Sequence, residues 1–109
     1  MNNTLIVMGK TRIIYDKKQL ELLNETLSIA IEMVDQTIID KKIKDNGSCV
    51  LGAGIYIYYR AKGKRIPIRM LIISAPFQGN ISIQESLEPS LKYLKKQGID
   101  CWYSDGNMD

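Results

Sequence analysis

Histidine is absent from this chain. It is the side chain that titrates unperturbed near neutral pH and the commonest general acid–base group. Ser–His and Cys–His nucleophile activation and His-based metal sites are therefore excluded. A small enzyme working through Asp, Glu, Lys, Tyr or Cys stays open as an alternative, but the expectation is a non-enzymatic protein. Cysteine is nearly as scarce. Cys49 and Cys101 lie 52 positions apart, unlike the closely spaced pairs of metal sites, and a secreted domain of this size usually carries more. No metal and no organic cofactor is expected. No apolar run approaches the ~20 residues that span a bilayer, and Met1-Asn2-Asn3-Thr4 does not open an export signal. A cytoplasmic chain with no membrane partner follows.

What is present has the balance of a globular protein. The 109 residues are 45% hydrophobic and 25% charged, which excludes disordered and fibrous classes and fits one domain better than two. We place that domain at residues 1–103 and a polar tail at 104–109. Lysine outnumbers arginine 11 to 4 and isoleucine is abundant, a bias that suits an AT-rich genome and an accessory or inhibitor protein of a phage or plasmid.

Periodicity supplies the elements. Leu5-Ile6-Val7-Met8 and Ile13-Ile14-Tyr15 flank Gly9-Lys10-Thr11-Arg12, which reads as one strand bulged at Gly9 or as a hairpin. Asp16 with Gln19 three residues on is a capping-box start, and the helical pattern runs over 17–44. Leu20, Leu23, Leu27, Ala30, Ile31, Val34 and Ile38 form its main apolar stripe. Leu22, Ile29 and Met33 form a second, almost opposite, so the helix should meet a further surface, either a neighbouring helix or another subunit. Gly47 ends it. Strands at 48–60 and 65–74 follow, then a loop at 75–80. The next helix should start near Ser86, because Pro89 is tolerated only in a first turn. It carries Leu87, Leu91 and Leu94 inward and closes at Gly98, before a last strand at 99–103. The order strand, helix, strand, strand, helix, strand is the ferredoxin-like βαββαβ pattern, an α+β sandwich with an antiparallel sheet and both helices on one face.

The candidate site comes from charge and alternation. Residues 46–80 carry Arg60, Lys62, Lys64, Arg65 and Arg69 with no acid, while residues 81–109 carry five acids against three bases. This dipolar layout steers anionic partners toward the central hairpin. With Ile55, Ile57, Ile66, Ile68, Met70 and Ile72 facing the helices, Tyr56, Tyr58, Arg60, Arg65, Arg69, Leu71 and Ile73 face the open side. The only phenylalanine, Phe77, sits beside Gln78 and Asn80 in a loop of the kind that carries binding residues. Tyr and Arg are the enriched anchors of protein interfaces. The favoured reading is a protein-docking module using Tyr56, Tyr58, Arg60, Arg69 and the Phe77 loop. Self-association would use Leu22, Ile29, Met33, Leu71 and Ile73. The alternative is a nucleic-acid or nucleotide module, with tyrosines stacking bases and Arg60, Lys62, Lys64, Arg65 and Arg69 meeting phosphates. Against it, the ferredoxin-like order puts Tyr56 and Tyr58 on an edge strand. Two apparent motifs fail. Gly9-Lys10-Thr11 resembles the end of a phosphate-binding loop, but Thr4 stands where that loop needs glycine. Gly52 and Gly54 lead into a strand and instead suit a bulge or a close backbone approach.

Overall fold

The computed structural model describes residues 4–41, 53–74 and 80–104, with side chains excepted at 80–84. Thr4–Val7 (β1) and Lys10–Tyr15 (β2) form an antiparallel hairpin in which Val7 faces Lys10. Its two-residue turn is Met8 at φ 51° and Gly9 at φ 79°, the doubly positive geometry whose twist matches that of the strands. Residues 4–15 are thus a hairpin, not one bulged strand. Asp16 then caps the next helix as its sequence predicts. Its carboxylate accepts from Gln19 N at 2.8 Å, and Gln19 Oε1 accepts from Asp16 N at 3.0 Å.

The long helical stretch is broken. Lys17–Leu22 (α1) ends at Leu23, whose N–H is shared between Gln19 O at 3.1 Å and Leu20 O at 3.2 Å, and Asn24–Lys41 (α2) follows. Gly54–Tyr59 (β3) and Ile68–Ser74 (β4) are antiparallel neighbours. Asn80–Lys96 (α3) and Trp102–Ser104 (β5) complete the described elements.

The fold is α+β, but its sheet is mixed and five-stranded, with β3 at its centre. β4 lines one edge of β3. The other edge is shared end to end: β2 pairs in parallel through Ile14–Tyr58 and Tyr15–Tyr59, and β5 pairs antiparallel from Gly54–Ser104 to Tyr56–Trp102. The expected antiparallel ferredoxin-like sheet would instead seat the first strand between its partners. The difference has a local cause. The hairpin engages most of β2 with β1, so only the last two β2 residues reach β3, and β5 fills the edge left open.

One core lies between sheet and helices. Ile55 and Ile57 of β3, Ala30 and Val34 of α2, and Leu87 and Leu94 of α3 bury together with Tyr15, Ile99 and Cys101. The helices approach closely because Ala30, Ser86 and Ser90 are small and fully buried, and Ser90 Oγ donates to Ala30 O at 2.7 Å. Ile31, assigned to the buried stripe, is exposed.

Two boundaries depart from the sequence reading. α3 begins at Asn80 rather than near Ser86 and carries Pro89 inside it. The carbonyl that Pro89 leaves without a donor belongs to residue 85, and Glu85 is exposed, so the loss falls on the solvent side. The last strand is 102–104 rather than 99–103, which brings Ser104 into the sheet and out of the expected tail. Gly98, at φ 85°, closes α3 as predicted, with Ile99 N bonded to Leu94 O at 3.1 Å and Gly98 N to Lys95 O at 3.0 Å. Gly47, Cys49 and residues 105–109 lie outside the described residues. No helix among the described residues is long and apolar enough to cross a membrane.

Candidate functional site

Alternation along β3 sends Ile55 and Ile57 to the core and Tyr56 and Tyr58 to the opposite, open face; Arg60, also expected there, lies just past the strand end. β5 delivers Trp102 to that same face, opposite Tyr56. The Trp102 ring lies 4.9 Å from that of Tyr58, tilted by 40°, and 6.2 Å from that of Tyr56, nearly parallel at 23°. The Arg12 guanidinium sits 5.1 Å from the Trp102 ring centre, within cation–π range. Asp100 holds it there. One carboxylate oxygen accepts from Arg12 Nη1 at 2.7 Å and the other from Ile13 N at 2.9 Å, while Asp100 N donates to Tyr15 Oη at 2.9 Å. These three bonds fix the hairpin to the segment leading into β5.

Because β5 occupies β3 beside residues 54–56, the upper part of β2 leaves the sheet and the hairpin forms a wall beside the open face. A cleft of about 410 Å³ lies between Val7, Met8, Lys10 and Arg12 of the hairpin and Tyr58, Arg69 and Trp102 of the sheet. Arg69 enters it because β4 pairs it with Tyr58. Among the described residues two aromatic rings and three cations line this cleft, and no carboxylate does. A second cleft of about 680 Å³ opens where β3 runs out, between Ile14, Tyr15, Asp16, Lys17, Lys18 and Glu21 on one side and Arg60, Ala61, Lys62, Gly63 and Lys64 on the other. Lys64 N bonds to Ala61 O at 3.0 Å to form the turn, and Arg60 N bonds to Tyr15 O at 2.9 Å to tie it to β2.

The residues singled out by sequence are distributed as follows. Tyr58 and Arg69 reach the first cleft; Arg60, Lys62 and Lys64 reach the second; Arg65 is exposed beside neither. Tyr56 faces the open side, but it is only 6% exposed and supports the stack from beneath. Leu71 is half-buried on that side, against Gly54, where an added Cβ would stand 2.6 Å from Leu71 Cδ1 and 2.1 Å from Ile73 O. This is the close backbone approach expected at Gly54.

Ile73 was expected on the open face and is instead 3% exposed in the core. The cause is a bulge: pairing shifts between Ile55 and Tyr56, so Ile73 faces Ile55 while Leu71 faces Tyr56. Ile66 and Ile68, expected inside, are exposed: β4 starts only at Ile68, past Pro67, so Ile66 precedes the strand and Ile68 stands at its very end. On the helices, Leu22 is 78% exposed, Ile29 is exposed and Met33 is half-buried. Phe77 and Gln78 lie outside the described residues, as does the side chain of Asn80, whose backbone begins α3.

Trp102, Arg12 and Lys10 escaped the sequence reading. The available signal was alternation along a short strand containing the only tryptophan, but its edge could not be assigned before the pairing was known. Cys101, next to Trp102, is buried, and burial pushes its thiol up to about 11, which leaves a poor nucleophile at neutral pH. Among the described residues no cluster of His, Cys, Asp or Glu is arranged to hold a metal ion. Comparison with protein-family models, curated proteins and solved structures gave no significant match.

Proposed function

We propose that this protein is a non-enzymatic binding module that takes single-stranded nucleic acid on its open sheet face. The observation that carries this reading is the cleft in which Tyr58 and Trp102 stand among Lys10, Arg12 and Arg69, with no carboxylate among the described residues that line it. Aromatic rings offer a stacking surface to any base, and surrounding cations meet the backbone that follows it. The mixed sheet also removes the objection from topology. The tyrosines lie on β3, the central strand, where base-stacking sheets carry their aromatics.

Protein interfaces use the same aromatic and arginine anchors, but they deplete lysine and keep charge away from the centre of the patch. Here cations surround the rings. The charge balance points the same way. The two clefts are lined by eight cations, three in the first and five in the second, and by two carboxylates. Among the described residues the lining of the two clefts thus carries an excess of six positive charges.

Trp102 is the only tryptophan, so its fluorescence reports on the site directly. Titration with an oligothymidylate of about twelve nucleotides should quench it. Trp102→Ala should weaken binding, read by anisotropy of a labelled oligonucleotide, by about 1–3 kcal/mol. Affinity should fall steeply with salt, with log K decreasing by ~0.7 per log unit of salt for each phosphate contact. No quenching by any oligonucleotide, together with a protein partner held equally well at low and high salt, would sink this reading and favour protein docking.

A further inference from the structure

Resting on that reading, we propose that the cleft between the start of α1 and the turn after β3 is a second subsite, for the phosphates of the same strand. The Tyr58–Trp102 cleft would take its bases. Five cations from two separate segments line the second cleft: Lys17 and Lys18 on α1, and Arg60, Lys62 and Lys64 at the turn. Two carboxylates share it. Asp16 has one oxygen committed to Gln19 N as the helix cap, which leaves Glu21 as the other local acid. Such an excess of positive charge matches a ligand with several negative groups, and lysines bind phosphate as mobile point charges.

Continuity joins the two clefts. Tyr58 and Arg60 are two residues apart along the chain, roughly 7 Å at the rise of a strand. Ile14, in the floor of the second cleft, pairs with Tyr58 in the wall of the first. The bond from Arg60 N to Tyr15 O holds the turn against β2, so the two cationic walls are tied together. A strand stacked on Trp102 and continuing along β3 therefore runs into the second cleft. That cleft offers little to a base, since the one aromatic residue among its described lining, Tyr15, is buried.

The test compares oligothymidylates of about three and about twelve nucleotides, by Trp102 quenching and anisotropy, on wild type, on Lys62→Ala/Lys64→Ala and on Lys17→Ala/Lys18→Ala. All four lysines are exposed, so the fold should survive, and thermal melts check it. Each double variant should lose on the order of tenfold in affinity for the long strand. Each should also lower the salt slope by about 1.4, two phosphate contacts at ~0.7 each, while binding of the short strand changes less than about twofold. A 5′-phosphate on the short strand distinguishes the source of the phosphate. If it restores sensitivity to the lysines, the cleft takes a terminal group; if only length does, it takes the internal backbone. Equal losses for both lengths, or no loss for either, would overturn the subsite while leaving the Trp102 face standing. Failure of wild type to bind either length would overturn the underlying reading as well.

Discussion

Cys101 is 1% exposed among apolar neighbours, and burial is the main cause of its raised pKa, with the Asp100 carboxylate acting in the same direction and Lys95 and Arg12 against it. The folded chain keeps the thiol protonated up to about 11, whereas an unfolded chain releases the proton near the thiol value of 9.0. Between these values the unfolded state binds fewer protons, so stability is fully present below the lower value and is lost as pH rises toward the upper one. The loss is at most about 3 kcal/mol at ~1.4 kcal/mol per unit. Urea unfolding followed between about pH 8 and about pH 11 should show it, and Cys101→Ala should flatten that part of the fall. Tyr15, whose pKa burial also raises, leaves a residual slope of the same sign. In native protein at neutral pH, Cys101 should be inert to thiol reagents.

At the scale of elements, the β1–β2 turn is the clearest conflict between a residue and its backbone. Met8 sits at φ 51° with its side chain 97% exposed, so it bears the steric penalty of the left-handed region without compensating burial. Asparagine tolerates that region and is the preferred first residue of this turn. Met8→Asn should raise stability by roughly 0.5–1 kcal/mol, seen as a higher thermal midpoint with β-sheet circular dichroism unchanged. Met8 also borders the first cleft. If its side chain touches the ligand, the same variant should gain stability and lose affinity together.

On the scale of the whole molecule, Asp100 joins the hairpin to the body. It accepts from both Arg12 and Ile13, and its own N–H reaches Tyr15. The Arg12–Asp100 pair is only partly exposed, at 25% and 21% of side-chain area, so solvent screens it less than a surface pair. Asp100→Asn keeps one acceptor and removes the charge. The hairpin should open locally at lower free energy, by roughly 1–2 kcal/mol. Faster amide hydrogen exchange in β1 and β2, with β3 and α3 unchanged, is the expected pattern; equal acceleration throughout would mean that Asp100 supports the core instead. Because Arg12 is released from Trp102 in the same variant, oligonucleotide affinity should drop as well.

Local chemistry wrote much of this protein into its sequence. The Asp16 capping box, the Gly98 helix end, the inward Ile55 and Ile57, the outward Tyr58 and the close approach at Gly54 all follow from short-range rules of spacing, capping and alternation, and all are found. The concentration of positive charge around residues 60–69 was equally legible, because charge is counted without knowing the fold. Pairing between distant segments was not. Whether residues 4–15 made one strand or two decided how much of β2 was left for the sheet, and hence which edge β5 could take. A bulge one residue long moved Ile73 from the open face into the core. Trp102, Arg12, Tyr58 and Arg69 come from four different strands, and no local rule relates them. Only hydrogen-bond register, which the chain settles by satisfying its backbone and burying its apolar faces together, brought these side chains into one cleft.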